Sequence, residues 1–421
     1  MSPISPRSRA RRVAIVGAGI VGMATARYLQ RDGCDVTVID PVAPGRSTSF
    51  GNAGGIAVSE VAPISLPGII RRVPGWLMDP LGPLTIRWSY LPRLAPWLWR
   101  FWRAGRRDHV EAASAALASL LSIAYDDYEP LLVEAGIRDL LFRNGCLSLY
   151  MSEDALAHDA YEWELKRRHG IRFERLGPEE IRQMEPELSP VFKAAMFIPD
   201  WGHVADPYRI VKGIAETFVR NGGAVREARV MDFAFGVEGP CAVITDAGEK
   251  LACDQIVIAA GAWSHRLARK LGSGVPLETE RGYHMTLANP NVRLTRMLHS
   301  AEGGFVVTPM AMGLRLAGTV ELAGLDAAPN YARARVLVER AKRFLPQLND
   351  AEGSPWMGFR PSLPDSLPVI SRSPRFHNVF YAFGHGHLGL TEAASTGRLV
   401  AALAAGRRPA IDLEPFRIDR F

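Results

Sequence analysis

The sequence predicts an α/β domain that is interrupted by an α+β domain built on an antiparallel sheet. Three observations predict this fold class: a β-α-β pattern in residues 12–40, alternating strand-like sequence in residues 278–316, and a closing strand and helix in residues 379–405. The chain has 421 residues, which exceeds the length that a single hydrophobic core usually supports. We therefore expect two domains, one inserted into the other.

The N-terminal β-α-β pattern carries a glycine fingerprint. Gly17, Gly19 and Gly22 separate a short apolar strand from a helix, and Asp40 ends the second strand. Gly17 permits a tight turn, Gly19 lets the backbone approach a pyrophosphate, and Gly22 lets helix and strand pack closely. A carboxylate at Asp40 suits a ribose hydroxyl and disfavours the 2′-phosphate of NADP. This spacing predicts a Rossmann-type dinucleotide site, with an ordinary glycine-rich turn as the alternative.

A second glycine-rich turn lies near the end of the chain. The segment GHGHLGLTEAASTG (384–397) separates a strand from the last predicted helix. Such a turn offers backbone N–H groups and a helix dipole to an electron-rich ligand atom. A reduced flavin carries negative charge near N1 and the C2 carbonyl, so the turn suits a flavin. A purely structural turn is the alternative.

Composition bounds the remaining possibilities. The chain has a net charge of +6 and a pI of about 9.2, a balance that alone selects no partner. Four cysteines (Cys34, Cys146, Cys241 and Cys253) lack CxxC spacing, and we predict buried, reduced thiols in a cytoplasmic protein without a metal site. No run of 18 apolar residues predicts a spanning helix.

Two further segments carry local predictions. Residues 205–223 read as an amphipathic helix with Asp206 as its N-cap, Pro207 at its start and glycine at its end. Residues 71–107 hold eight arginines and five tryptophans against the single acid Asp79. This composition suits a lipid headgroup layer, but tryptophans also pack in cores and arginines also cover solvated helices, so both interpretations stay open. No nucleic-acid recognition motif accompanies the segment, and we predict no nucleic-acid binding.

Five motifs, in chain order, carry a family resemblance. They are GAGIVG (17–22), TSFGNAGG (48–55), IVIAAGAWS (256–264), GFRPSLPDSLPVI (358–370) and GHGHLGLT (384–391). Together they resemble the D-amino-acid oxidase and glycine oxidase superfamily, most of all its bacterial D-amino-acid dehydrogenase branch. The resemblance runs from about residue 12 to the closing PFRIDRF.

The resemblance implies non-covalent FAD in a Rossmann-type FAD-binding domain, interleaved with an antiparallel-sheet substrate domain. Residues 1–100, 200–275 and 350–421 would form the first domain, and residues 101–199 and 276–349 the second. With the fingerprint residues included, the implied FAD contacts are Gly17, Gly19, Gly22, Asp40, Ser47, Thr48, Ser49, Asn52, Ala53, Gly54, Val230, Gly261, Trp263, Gly384, Gly386, Leu388, Gly389, Leu390 and Thr391.

Three residues are candidates for the reaction itself. Arg360 matches the family arginine that pairs with a substrate carboxylate, a role that a permanently charged guanidinium fork suits. Tyr283 falls on the strand that supplies a substrate-contacting hydroxyl in relatives. His387 departs from the pattern, as does His284, and each could contact substrate, tune the flavin or serve structure only. A surface arginine and a core tyrosine are the alternatives for the first two.

The implied activity is FAD-dependent oxidative deamination of a D-amino acid, by hydride transfer from Cα to flavin N5, giving an imino acid and then a 2-oxo acid. This step needs positioning more than acid–base groups, because the cofactor carries the chemistry.

Alternatives stay open at several points. The substrate could be cis-4-hydroxy-D-proline or D-proline, the enzyme could be a glycine- or sarcosine-type oxidase using dioxygen, or the chain could be a flavin-binding accessory subunit. The expected electron acceptor is a quinone, with peripheral contact to the inner face of the plasma membrane through residues 71–107 as one possibility. An NAD dehydrogenase is disfavoured, because it would leave the C-terminal turn without a role.

Overall fold

A computed structural model describes residues 10–69, 73–79 and 82–421 of the protein. The strands are β1 (Arg12–Val16), β2 (Asp35–Asp40), β3 (Gly55–Ile56), β4 (Leu84–Ile86), β5 (Leu141–Phe142), β6 (Cys146–Tyr150), β7 (Glu174–Leu176), β8 (Ala194–Ile198), β9 (Gly202–Val204), β10 (Ala224–Glu227), β11 (Val230–Gly236), β12 (Gly239–Thr245), β13 (Lys250–Ala252), β14 (Gln255–Ile258), β15 (Glu278–Leu287), β16 (Met297–Ser300), β17 (Phe305–Met310), β18 (Gly313–Leu322), β19 (Gly353–Ser362), β20 (Val369–Arg372) and β21 (Val379–Phe383).

The helices surround these strands. They are α1 (Ile20–Arg31), α2 (Val73–Met78), α3 (Leu91–Ala104), α4 (Arg107–Leu121), α5 (Ala124–Ala135), α6 (Glu153–His158), α7 (Ala160–Arg168), α8 (Pro178–Met184), α9 (Pro207–Arg220), α10 (Ser264–Lys270), α11 (Ala332–Lys342) and α12 (Gly389–Ala404).

A six-stranded sheet joins the two ends of the chain with its middle. Its order is β10-β2-β1-β14-β21-β20, parallel throughout except for the edge strand β20. Helices α1, α9, α12 and α5 pack against one another over this sheet. Parallel strands covered by helices are buried on both faces, which explains the nearly continuous apolar sequence of β1. This sheet confirms the predicted Rossmann-type unit, whose segments are separated in the sequence by residues of other elements.

The helix α9 shows that local capping chemistry was readable from the sequence. The Asp206 carboxylate accepts the backbone N–H groups of Tyr208 and Arg209, 2.9 and 3.2 Å away. Pro207 occupies the first helical position, where the missing N–H costs nothing. The helix ends at Arg220, just before the glycine pair that was predicted to stop it.

The second large sheet is mostly antiparallel. Its order is β19-β15-β18-β17-β16-β6-β8-β7, and β4 pairs with β18. Helix α11 packs against β15 and β18 and shares a hydrophobic cluster with them. Strands β4 and β19, in segments assigned from the sequence to the FAD-binding domain, pair with this sheet instead. The division into two domains with those limits stays a prediction.

Two sequence expectations concern local environment. All four cysteines are free, and Cys34, Cys146 and Cys253 are buried. The expectation that all four are buried is wrong for Cys241, which is exposed. Cys241 lies in β12 of the small sheet β11-β12-β13, where alternate side chains point outward.

The Trp- and Arg-rich segment is described except for residues 71, 72, 80 and 81 and the side chains of Pro74 and Trp76. Within it, helix α3 buries Leu94 and Trp97, while Trp99 and Trp102 remain exposed. The segment therefore supplies both a core face and an outward aromatic face.

Candidate active site

One cavity of about 1560 Å³ lies where the carboxyl ends of β1, β2, β14 and β21 meet one face of β15, β18 and β19. Ligands of open α/β sheets bind at this edge, because the loops that follow the strands diverge there. Most of the predicted cofactor residues line it: Gly17, Gly19, Asp40, Ser47, Thr48, Ser49, Asn52, Ala53, Val230, Gly261, Trp263, Gly386, Leu388, Gly389, Leu390 and Thr391. Segments far apart in the sequence are thus brought to one site.

Three predicted cofactor residues, Gly22, Gly54 and Gly384, are not among the lining residues of the cavity. Each instead has a neighbour that a side chain would strike. A Cβ on Gly22 would lie 1.9 Å from the Gly17 carbonyl oxygen, which is the close helix-to-strand packing that the fingerprint predicts. A Cβ on Gly54 would meet Met310, and one on Gly384 would meet Leu363. Gly54 and Gly384 therefore shape turns behind the cavity lining, and Gly22 lies in the first turn of α1.

The first turn is built around Gly17 and Asp40. Gly17 has φ of 115°, a conformation that side chains disfavour, and a Cβ there would lie 2.3 Å from the Ala259 carbonyl oxygen. The Asp40 carboxylate accepts the backbone N–H groups of Ala18 and Val42, at 2.8 and 3.0 Å. Burial raises the pKa of Asp40, although these two hydrogen bonds oppose the shift. Asp40 therefore fixes the glycine turn in addition to facing the cavity.

The loop of residues 47–55 is held from beneath by polar side chains of the large sheet. Arg315 donates to the Asn52 carbonyl at 2.6 Å, and His284 Nδ1 lies 2.9 Å from the Gly51 carbonyl oxygen. The His284 ring stacks on Trp356, with centroids 5.0 Å apart. Burial lowers the pKa of His284 to about 3, with the Arg315 charge adding to the shift. Sequence reasoning missed Arg315 and Trp356, since nothing local marks a residue that supports a distant loop.

Two helix N-termini open onto this single cavity. Helix α1 begins after Gly19 and helix α12 after Leu388, and neither N-cap residue caps its helix with its own side chain. Ser49 Oγ accepts the Ile20 N–H at 3.0 Å, which brings the 47–55 loop to the first helix. Thr391 Oγ1 accepts the Ala57 N–H at 3.0 Å and joins the second helix to the chain following that loop.

This arrangement fits FAD. Helix N-termini bind anionic groups, because the first N–H groups lack partners within the helix and the dipole is positive there. FAD carries a pyrophosphate in its middle and a flavin that becomes electron-rich on reduction. The turn at Gly17 and Gly19 would hold the pyrophosphate, and the turn at Gly386 to Gly389 the flavin. No cysteine is among the described residues that line the cavity.

Arg360 lies on β19 with its guanidinium across the face of β15. A Cβ on Gly282 would lie 2.4 Å from Arg360 Cζ, so the glycine leaves the space that the guanidinium occupies. Its hydrogen bonds are long, 3.3 Å to the Thr319 carbonyl and 3.5 Å to the Gly318 carbonyl. A guanidinium has five N–H donors, so Arg360 retains donors for a ligand carboxylate.

His387 lies in the turn before α12 and lines the same cavity. The His387 side chain is exposed where it lines the cavity. Burial lowers the pKa of His387 to about 4, and the charges of Arg360 and His299 lower it further. His387 is therefore a neutral ring at neutral pH, able to donate or accept one hydrogen bond.

Tyr283 borders the cavity but does not join Arg360. Its hydroxyl donates to Glu321 at 2.5 Å and accepts the Asn330 N–H at 3.0 Å. Tyr283 is 1% exposed and belongs to the hydrophobic cluster shared with α11. Successive side chains of a strand point to opposite faces, so Tyr283 lies opposite the face of Gly282 over which Arg360 extends. The hydroxyl joins the sheet to a loop, and the role of Tyr283 in substrate binding stays a prediction.

The face that Arg360 shares contains a carboxylate that sequence reasoning missed. Glu280 is the cross-strand partner of Arg360, lines the cavity and is 7% exposed. The alternation of β15 was the available signal, because it places Glu280, Gly282 and His284 on one face and Tyr283 on the other.

Comparison with known proteins identifies the family. The family described as FAD dependent oxidoreductase (DAO) matches residues 12–403. The chain belongs to this family. It is an FAD-dependent oxidoreductase, as its motifs predicted, and the cofactor expectation of FAD is confirmed.

Similar proteins cover nearly the whole chain. A protein from Bradyrhizobium diazoefficiens named D-amino-acid oxidase is 41% identical over 418 residues, which are 98% of this chain and 99% of the relative. A D-amino acid dehydrogenase from Paramagnetospirillum magneticum is 32% identical over 428 residues, 97% of this chain and 99% of the relative. The crystal structure of glycine oxidase from Geobacillus kaustophilus superposes with a TM-score of 0.73 at 25% identity, covering 98% of this chain and 100% of that one.

Membrane-spanning helices and metal clusters are both absent from the described residues. No helix among them combines the length and apolar character needed to cross a bilayer. No group of three or more potential metal-binding side chains occurs among residues 10–69, 73–79 and 82–421.

Proposed function

We propose that the protein oxidises a D-amino acid to an imino acid, which hydrolyses to a 2-oxo acid and ammonia. The observation that carries the proposal is the position of Arg360. Its guanidinium lies in the cavity wall on the same side as the turn before α12, and it retains N–H donors for a ligand. The names of the two relatives, D-amino-acid oxidase and D-amino acid dehydrogenase, support this substrate class. FAD, when bound, supplies the two-electron acceptor for the hydride that leaves Cα.

The protein's own contribution is binding and orientation. Arg360 would take the substrate carboxylate in two parallel hydrogen bonds, which fixes the direction of Cα as well as its place. His387, whose lowered pKa leaves the ring neutral, would donate a hydrogen bond to the substrate or accept one without adding charge. The surrounding apolar wall, which includes Trp97, Leu98 and Phe101 of α3, would exclude water from the reacting carbon.

The fate of the electrons is the second part of the proposal. We infer that a quinone in a membrane surface accepts them, with α3 lying on the lipid headgroups. The inner side of α3 lines the cavity, and its outer side exposes Trp99 and Trp102 by 52% and 59%. Arg103 lies 4.8 Å from the Trp99 ring, so cation and aromatic ring are presented together. This combination suits an anionic interface.

The deciding experiment is anaerobic mixing of the FAD-loaded protein with a panel of substrates, followed by flavin absorbance. D-Amino acids should bleach the flavin, whereas L-amino acids should not. D-Proline, cis-4-hydroxy-D-proline, glycine and sarcosine test the alternatives. A flavin that no D-amino acid reduces would refute the proposal. Peroxide release under air separates an oxidase from a dehydrogenase.

Substitution of Arg360 tests the site directly. Arg360→Lys keeps the charge but loses the bidentate fork, so we expect kcat/KM to fall by about 10- to 100-fold. The FAD content should be unchanged, because Arg360 is assigned to substrate alone. Equal loss of FAD and activity would place Arg360 in the cofactor site instead.

A further inference from the structure

The substrate end of the cavity contains a matched pair of opposite charges on neighbouring strands. Glu280 of β15 stands directly opposite Arg360 of β19 in the antiparallel register. Side chains of paired residues lie on the same face of a sheet. Both residues line the cavity, whereas the adjacent Arg281 does not and belongs to the other face of β15.

The two charges do not neutralise each other by contact. The structure shows no ion pair within 4 Å for Glu280 among the described residues, and Arg360 extends over Gly282 toward the carbonyl groups of Gly318 and Thr319. A cation and an anion are therefore presented separately on one wall. An α-amino acid is a zwitterion with the same two charges one carbon apart.

The surroundings of Glu280 favour a proton acceptor. Burial raises the pKa of Glu280, and the Arg360 charge and the Ser362 hydroxyl oppose that shift. The other titratable groups nearby are Glu278, two residues earlier on the same strand, whose carboxylate accepts the Tyr90 hydroxyl at 3.0 Å, and His387, which lies near Arg360 and is uncharged.

We propose that Glu280 binds the substrate's α-ammonium group and accepts one of its protons before hydride transfer. This inference rests on the proposed function, because it places the substrate carboxylate on Arg360. The N–H bond of the ammonium breaks, its electron pair stays on nitrogen, and the proton joins a Glu280 oxygen. The amine becomes neutral and the carboxylate a carboxylic acid, so charge balances. The proton leaves to solvent after product release.

The test is the pH dependence of flavin reduction in FAD-loaded Glu280→Gln. Gln keeps the shape but cannot accept a proton, and we expect about 100-fold slower reduction by a D-amino acid at neutral pH. The defect should shrink tenfold per pH unit toward the pKa of the free substrate's ammonium group, because deprotonated substrate no longer needs the base. A constant defect at every pH would overturn the proposal.

Two further variants separate this role from a structural one. Glu280→Asp retains a base and should keep the wild-type pH profile at a lower rate, so identical profiles for Asp and Gln would also overturn it. Glu278→Gln changes a neighbouring carboxylate on the same strand and should leave the profile unaltered.

A binding measurement covers the case in which reduction becomes too slow to follow. Propionate has the carboxylate but no amine, so Glu280→Gln should bind it at least as tightly as the wild type, by perturbation of the flavin spectrum. Weaker propionate binding in Glu280→Gln would show a disturbed Arg360 and sink the assignment. Failure of the wild-type flavin to react with any D-amino acid would instead refute the proposed function.

Discussion

At the residue scale, the position of the Arg360 guanidinium in the cavity depends on a glycine, Gly282. Gly282 leaves open the space through which Arg360 crosses β15, since a Cβ there would lie 2.4 Å from Cζ. The obstructed atom belongs to the flexible end of a side chain, so the sheet itself can tolerate a methyl group. The guanidinium cannot keep its position.

Gly282→Ala should therefore raise KM for the amino acid without unfolding the protein. A displaced charged hydrogen-bonding group costs about 1.5–3 kcal/mol, which corresponds to about a 10- to 100-fold increase. Steady-state kinetics and flavin absorbance would measure it. Gly274→Ala, where no atom lies within 4 Å of the added Cβ, is the matched control. An unchanged KM in Gly282→Ala would mean that Arg360 does not bind substrate from this position.

At the element scale, the helices that back the parallel sheet depend on their ends. Helix α9 packs against α1 and α5, and its first turn is satisfied by the Asp206 carboxylate. An N-cap side chain satisfies N–H groups that have no partner within the helix.

Asp206→Ala should lower the free energy of unfolding by about 1 kcal/mol, because two backbone donors lose their acceptor. Urea denaturation of the FAD-loaded protein would show it as a lower midpoint. Asp206→Asn keeps the capping oxygen and removes the charge, so its free energy of unfolding should fall much less. If the free energy of unfolding fell equally in both variants, the attraction between the Asp206 charge and Arg315, and not the helix cap, would be responsible.

At the scale of the whole molecule, the fold buries several neutral histidines. Burial lowers the pKa of His203 to about 4 and of His385 to about 3, as it does for His284. Below a pH of about 6.5 the unfolded chain protonates these rings, whereas the folded protein does not until about pH 4. The free energy of unfolding should therefore fall as the pH decreases through this window, by about 2 kcal/mol per ring at about pH 5.

His203→Phe should remove one such contribution. The His203 ring stacks on Phe142 with centroids 5.2 Å apart, an arrangement that phenylalanine can retain. We expect the loss of stability between about pH 8 and pH 5 to shrink by about 2 kcal/mol, measured by denaturation at both pH values. The exposed His377, changed to Gln, serves as control. An unaltered acid dependence in His203→Phe would contradict a neutral buried ring.

The proposed membrane surface is also a property of the whole molecule. Replacing both Trp99 and Trp102 by serine should reduce cosedimentation with anionic phosphatidylserine vesicles by about tenfold, because two aromatic side chains no longer enter the interface. Val237→Ser, which removes an exposed apolar residue elsewhere, should have no effect. If the wild-type protein stayed in the supernatant at low salt, membrane binding through this surface would be ruled out.

The sequence by itself determined the local devices of this protein. The glycine spacing at 17–22, the Asp206 cap and the C-terminal turn each depend on residues within a few positions, so their geometry follows from short-range sterics and hydrogen bonding. The order of motifs was enough to predict FAD and the family, which the comparisons confirm.

Only the tertiary structure decided which side chains face one another. Tyr283 and Glu280 are three positions apart, yet the first points to the core under α11 and the second lies opposite Arg360. Their odd spacing places them on opposite faces of β15, and the packing of α11 and the pairing with β19 decide what each face meets. The exposure of Cys241 and the support of the 47–55 loop by Arg315 arise in the same way. Such contacts join residues that are distant in the chain, and no local pattern records which strand will become a neighbour.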